Sequence, residues 1–318
     1  MTPAPPGDTH PLATVLALLR ADAPGEIVRE PRAWLRWAVL LPHVLAALGH
    51  LDREPAPDPG LLQDASWLLD RAATYLHVHA RLDDAVSLYH RALAINEAIH
   101  GRDHPEVAAT LSNLATALRV QGHPDQAQPL LERALAIDEA AYGPDHPEVA
   151  ATLSNLAGAL DAQGHPDRAQ PLLERALAID GAAYGPDHPT VAIRLNNLAL
   201  ALYDQGHPDR AQPLLERALA IDEAAYGPDH PTAAIRLNNL GEALRVQGHP
   251  DQAQPLYERA LAINEAAYGP DHPEVAANLS NLAGALDAQG HADRAQPLLE
   301  RVLAIRRARQ PNADQPLT

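Results

Sequence analysis

From residue 104 onward, apolar side chains fall into runs that alternate in step. In the first run Val107, Leu111, Leu114, Ala115 and Leu118 recur at spacings of three and four, and so share one face of a helix. In the second, Ala127, Leu130, Leu131, Ala134 and Leu135 do the same, with Glu132 and Arg133 on other faces. The punctuation between runs has a period of 42 residues: His-Pro pairs begin at His104, His146, His188, His230 and His272, and Gly-His pairs at Gly122, Gly164, Gly206, Gly248 and Gly290. Each unit is therefore two helical runs joined by turns, for example Glu148 to Gln163 and Asp167 to Tyr184. Gly122 sits where a helix end needs a left-handed residue. Pro124 suits the first turn of the next helix, where its missing N–H is not required. Pro129, Pro171, Pro213, Pro255 and Pro297 lie deeper in the second runs, where each removes a backbone hydrogen bond and predicts a loosened or bent start.

Shifting back by one period finds a degenerate first unit, with helices at Asp64 to His79 and Asp83 to Ile99, as expected of a cap that covers the core on one side only. The units are about 64–103, 104–145, 146–187, 188–229, 230–271 and 272–309, within an array spanning 61–309. Residues 10–60 form an N-terminal helical cap and linker: helices at 10–20 and 31–50, the second carrying Trp34 and Trp37 on one side and a kink at Pro42, then a turn at Asp52 to Gly60. Residues 1–9 and 310–318 read as disordered.

Composition narrows the class. Ala and Leu supply the core and Phe is absent, which suits close-packed helices and an all-α fold. The net charge of -17 comes from 41 acidic against 24 basic residues, every one of the latter Arg. Such a surface repels phosphate backbones, and the one compact basic run is Arg306-Arg307-Ala308-Arg309, so no nucleic-acid partner is expected. The absence of Cys fits a reducing cytoplasm, and the N-terminus lacks the basic and apolar segments of a secretory signal. The longest apolar stretch, Trp37 to Leu48, is interrupted by Pro42 and His43 and falls short of a bilayer span, so a buried helix and no membrane are expected.

Residues 121–137, Gln-Gly-His-Pro-Asp-Gln-Ala-Gln-Pro-Leu-Leu-Glu-Arg-Ala-Leu-Ala-Ile, resemble the core signature of a tetratricopeptide repeat, with small residues at Ala115, Gly122, Ala127 and Ala134 where that motif has them. The long period and the turn Tyr142 to Pro147 are similar to the repeats of kinesin light chain and many bacterial relatives, and the likeness covers about 64–309. It implies an all-α, right-handed superhelical solenoid of about six tetratricopeptide helix-turn-helix repeats with an N-terminal helical flank. The flank Trp34 to Val44 resembles the repeat-linked region of actinobacterial NB-ARC/STAND signalling NTPases. Without Lys the chain has no phosphate-binding Gly-x-x-x-x-Gly-Lys loop of its own, so that likeness implies a sensor region detached from its motor, or a partner acting in trans.

In such families the first helices line a concave groove, which directs attention to the polar stripe opposite the apolar one. It runs Ser112, Asn113, Thr116, Arg119; then Ser154, Asn155, Gly158, Asp161; Asn196, Asn197, Leu200, Tyr203; Asn238, Asn239, Glu242, Arg245; and Ser280, Asn281, Gly284, Asp287. Asn113, Asn155, Asn197, Asn239 and Asn281 form a ladder, replaced by Arg71 in the first unit. Amides can pair with the backbone of an extended peptide; equally, they can bond neighbouring helices and hold the repeat spacing. Arg119, Arg194, Arg236 and Arg245 are candidates for acidic ligand groups, Asp161, Glu242 and Asp287 for basic ones. Tyr203 beside Leu200 suggests an apolar pocket. Ten of the seventeen histidines belong to the repeated turns and none makes His-Glu-x-x-His, so turn or cap roles are expected and no metal or cofactor. No nucleophile-base constellation is apparent. The expected partner is a protein or peptide, with homo-oligomerisation through the last helix, Asp293 to Arg309, as a further option.

Overall fold

The computed structural model describes residues 10–25, 27, 31–55 and 57–309, so the disordered ends expected at 1–9 and 310–318 lie outside the described residues. These residues form helices and no strand. Two compact units divide the chain, at 1–165 and 166–318.

In the first unit α1 (Pro11–Asp22) and α2 (Pro31–Leu51) form the flank, followed by α3 (Pro59–Val78), α4 (Leu82–His100), α5 (Pro105–Val120), α6 (Pro124–Tyr142) and α7 (Pro147–Ala162). Successive helices pack as antiparallel neighbours, α3 on α4, α4 on α5, α5 on α6 and α6 on α7, and the first helices of adjacent repeats also touch, α3 on α5 and α5 on α7. Val107, Ala108, Leu111, Ala134 and Ile137 form one buried cluster, against which Leu93 of the preceding second helix and Leu130 also pack. Borrowing Leu93 joins each repeat's core to the one before. A fully buried leucine such as Leu111 contributes about 1.5–3 kcal/mol.

The second unit repeats the scheme with α8 (Pro166–Tyr184), α9 (Pro189–Asp204), α10 (Pro208–Tyr226), α11 (Pro231–Val246), α12 (Pro250–Tyr268), α13 (Pro273–Ala288) and α14 (Ala292–Arg309). The same cluster recurs at Val191, Ala192, Leu195, Ala218 and Ile221, and again at Val275, Ala276, Leu279, Val302 and Ile305.

Local chemistry sets the boundaries. Gly122 has φ +93°, and the His123 N–H donates to the Leu118 carbonyl at 2.8 Å while the Gly122 N–H donates to that of Arg119 at 3.1 Å. That pair of bonds closes a Schellman end, which needs the left-handed residue. The His-Pro histidines cap the first helices: His104 Nδ1 accepts from the Glu106 N–H at 3.2 Å, with equivalent bonds at His146, His188, His230 and His272. The Gly-His histidines 123, 207 and 249 cap with backbone alone. The second helices are continuous through Pro129, Pro171, Pro213, Pro255 and Pro297. One lost bond, five residues into a helix held by its packing, is too small a cost to break it.

Away from the first helices, Arg133 bridges Glu97 at 2.6 Å and donates to the Arg102 carbonyl at 2.7 Å. Arg259 and Arg301 make the same pairs with Glu223 and Glu265, each at 2.6 Å, and with the carbonyls of Pro228 and Pro270. Arg217 keeps the carbonyl bond, to Pro186 at 2.9 Å, but Gly181 occupies the position of the glutamate.

The sequence reading counts the apolar stretch of the flank only from Trp37 to Leu48, interrupted at Pro42 and His43. The helix runs on, and Ala33–Leu51 is long and apolar enough, by length and composition, to cross a membrane. Here it serves as a core helix on one side, with Trp37, Val44 and Leu48 fully buried, while Leu35 and Val39 are exposed.

Candidate functional site

The polar face of the first helices is built on a row of buried polar pairs that the sequence reading did not see. The second helices α4, α6, α8, α10 and α12 each carry an Asn or Asp near their end that pairs with a residue of a first helix fourteen residues on. Asn96 Nδ2 donates to Thr110 Oγ1 at 2.9 Å, and Thr152 Oγ1 to Asp138 Oδ2 at 2.7 Å. In the second unit Arg194 Nε donates to Asp180 Oδ2 at 2.7 Å, Arg236 Nε to Asp222 Oδ2 at 2.9 Å, and Asn264 Nδ2 to Asn278 Oδ1 at 2.7 Å. Burial of a charge is tolerable when it is paired, and Arg194 and Arg236 supply that partner to Asp180 and Asp222, whereas Asp138 has only the neutral Thr152 hydroxyl. Arg194 and Arg236, read as candidates for an acidic ligand, are thus engaged with buried carboxylates; Arg236 is 7% exposed.

The asparagine ladder lies three residues further along each first helix, half-buried at Asn113, Asn155, Asn197, Asn239 and Asn281. Three of these amides reach back to the preceding first helix. Asn113 Nδ2 donates to Asp70 Oδ1 at 2.9 Å, Asn239 Nδ2 to Asn196 Oδ1 at 2.7 Å, and Asn281 Nδ2 to Asn238 Oδ1 at 3.4 Å. They therefore tie adjacent repeats, whatever else they contact. In the first unit Arg119 is half-buried and lies over Gly158, its Nε 3.8 Å from where a β-carbon would stand.

Tyr203 and Arg245 come together on the second unit. Glu242 Oε1 accepts from the Tyr203 hydroxyl at 3.1 Å and from Arg245 Nη2 at 2.6 Å. Glu242 Oε2 accepts from Arg245 Nε at 2.8 Å and from the Tyr257 hydroxyl at 3.1 Å. The Arg245 bonds hold the Glu242 carboxyl below its ordinary pKa, and burial with the facing carboxylate holds the Tyr257 hydroxyl above its own. Glu242, read as a site for a basic ligand, already has four donors. Leu200 stands at 38% exposure on the same face. Tyr257 was missed because it belongs to a second helix. Its signal is a pair of coincident changes, Tyr257 for the Leu at 131, 173, 215 and 299 and Gly241 for the Ala of the other repeats, while the first repeat keeps Ala73 beside its own Tyr89.

On the first unit a polar cavity of about 370 Å³ opens among Arg20, Trp67, Asp70, Arg71, Glu106 and Asn113. Its floor is the buried trio Ser66, Asn96 and Thr110, in which Ser66 Oγ donates to Asn96 Oδ1 at 2.6 Å. Arg20 and Arg71 lie over the Trp67 ring, 5.4 and 5.7 Å from its centroid, and Arg20 also bridges Asp64 at 2.6 Å. Burial pushes the Asp70 carboxyl up in spite of the Asn113 bond. Trp67 and Asp70 were passed over in sequence because the first unit is the degenerate one.

A search of the curated proteins gave no match. Among solved structures, the chain is similar to the kinesin light chain nearly identical TPR-like repeats of Podosopora anserina, at 30% identity over 65% of this chain and 99% of that one, with a TM-score of 0.56. BtubC (BKLC) from P. vanneervenii is 26% identical over 78% of this chain and 97% of that one, with a TM-score of 0.57. A Rap protein solved with competence and sporulation factor shares the fold at 14% identity, 93% and 98% coverage and a TM-score of 0.59. The family profile described as "Tetratricopeptide repeat" matches residues 63–140, 112–182, 171–224, 195–266 and 232–308. With paired helices in each unit, buried small residues at the helix crossings and this profile over most of its length, the chain belongs to the tetratricopeptide repeat family.

Proposed function

We propose that the chain is a non-catalytic module in which residues 61–309 hold a protein or peptide segment on the polar face of the first helices, as an adaptor or sensor in signalling, in the cytoplasm. The observation that carries this is the contrast between core and stripe. The buried clusters repeat almost unchanged, while stripe positions vary among Arg119, Leu200, Tyr203 and Glu242. Packing explains the constancy; selection for a bound surface explains the variation. The test is affinity capture with the whole chain and with Arg119→Glu and Leu200→Asp, both on accessible positions. Loss of a captured partner from either variant is the expected result, and undiminished capture by both removes this face from the account.

A second reading assigns the flank at 10–50 to contact with a nucleotide-binding switch protein; exposed Leu18, Leu35 and Val39 favour it. Binding that survives Leu35→Asp with Val39→Asp would exclude it. Self-association through α14 draws support from Leu299 and Leu303, 47% and 49% exposed. A strictly monomeric chain at high concentration would exclude that.

A further inference from the structure

The cavity on the first unit carries a cation of this chain in its wall. We infer that it is a site for a cationic side chain, the guanidinium or ammonium of an arginine or lysine in a partner segment, and that Arg20 of α1 takes the place beside Trp67 and Asp64 in cis. This rests on the reading that the first-helix face binds a peptide.

Trp67 stands where the other repeats carry Ala109, Ala151, Ile193, Ile235 and Ala277, so the ring is an addition to the scaffold. The face of an indole attracts cations, and Arg20 sits 5.4 Å from its centroid while its Nη1 meets Asp64 at 2.6 Å. A π-face and a carboxylate converging on one guanidinium are the two features that recognise a cation. Arg20 reaches them from a separate helix and is 39% exposed, which makes its hold weak and exchangeable. Without it, the lining carboxylates Asp70 and Glu106 face Arg71 and the imidazoles of His100 and His104, and Asp64 loses its partner beside them. Asp70 is short of counter-charge even now, with Arg71 Nε 4.0 Å from Oδ2. Arg71 turns toward that carboxylate and lies over the same indole, so it stays as part of the wall. The charge of -17 would draw a basic segment toward the site. An acidic segment would meet Asp70 and Glu106 there.

The experiment titrates the full chain calorimetrically with acetyl-Ser-Gly-Arg-Gly-Ser-amide and with its Lys and Glu counterparts. Removing the internal competitor by Arg20→Ala should tighten binding of the Arg peptide about tenfold, the worth of one displaced cation–π and ion-pair contact. Adding Trp67→Leu or Asp64→Asn to Arg20→Ala should abolish that gain; two routes guard against a variant that misfolds, and thermal melts check each. Equal affinity of wild type and Arg20→Ala, no binding of the Arg peptide, or a gain that survives both second changes overturns the proposal. A preference for the Glu peptide that depends on Trp67 also overturns it while leaving a peptide-binding face, whereas undiminished partner capture by Arg119→Glu and Leu200→Asp removes that face itself.

Discussion

Gly241→Ala is the most informative single change in the second unit. A methyl group there would stand 2.8 Å from Tyr257 Cε1, 2.9 Å from Cζ and 3.2 Å from Cδ1. The ring is fully buried and its hydroxyl is held by Glu242 at 3.1 Å, so it has nowhere to retreat. At an ordinary helix position the alanine would gain about 1 kcal/mol. Here overpacking costs about 1–3 kcal/mol and a displaced hydroxyl about 1 more, so a net loss of about 1–3 kcal/mol is expected. Gly241→Ala with Tyr257→Leu recreates the fully buried Ala199 and Leu215 of the preceding repeat and should recover most of it. The first repeat supplies another rescue: Ala73 and Tyr89 coexist there, with the Tyr89 hydroxyl 3.0 Å from Thr74. Gly241→Ala with Glu242→Thr copies that trio. Urea denaturation by circular dichroism, with hydrogen exchange in α11 and α12 to localise the effect, reads all four proteins. A Gly241→Ala variant as stable as wild type, or costs that simply add, would refute the reasoning.

Three other outcomes are expected. Gly181→Ala should stabilise α8 by about 1 kcal/mol, and Gly181→Glu by about 0.3–0.5 kcal/mol more through Arg217; if thermal melts at low and high salt show no salt-sensitive surplus for Glu, Arg217 does not await a carboxylate. Asp180→Asn should cost about 3–5 kcal/mol by leaving Arg194 buried without its counter-ion, and Asp180→Asn with Arg194→Asn, which copies Asn264 and Asn278, should restore much of the loss in denaturant midpoints. Asp138, buried beside Thr152, has its carboxyl pushed above the ordinary 3.8 chiefly by desolvation. Its contribution to stability is therefore fully present below 3.8 and lost as pH rises through the raised value. Asp138→Asn, matching the natural pair of Asn96 and Thr110, should flatten that part of the pH-stability curve, and an unchanged slope between pH 4 and 7 would count against it.

Helix placement was legible because it depends on local patterns. The runs read at Glu148 to Gln163 and Asp167 to Tyr184 correspond to α7 and α8, each begun one residue earlier at a proline. The left-handed glycines were legible for the same reason, since a Schellman end is decided within six residues. What escaped were interactions between helices. Reading Arg194 and Arg236 on their own helix leaves them looking like surface charges, and only the Asp fourteen residues earlier, at 180 and 222, shows that they point into a junction. That Asp accompanies Arg, and that Asn264 accompanies Asn278, is written in the sequence as change between repeats and not as a motif within one. The asparagines stayed ambiguous because their partners lie 43 residues away. Trp67 was hidden by the opposite problem: with few matches to its sister repeats, the first unit offered little register in which an exception could stand out.

The fourteen-residue pairs also bear on how such an array can change length. Excising any inner unit joins Asn96 to Thr152, Asp138 to Arg194, Asp180 to Arg236, or Asp222 to Asn278, and every one of these encounters has a donor for its acceptor. Copying a unit in tandem is less forgiving: the duplicate of 230–271 would set Asn264 against Arg236, a sequestered cation with no anion. Recombination between near-identical units is thus cushioned toward contraction, and we expect shortened chains to fold more readily than one lengthened by that last copy, an order that melting the two products would check.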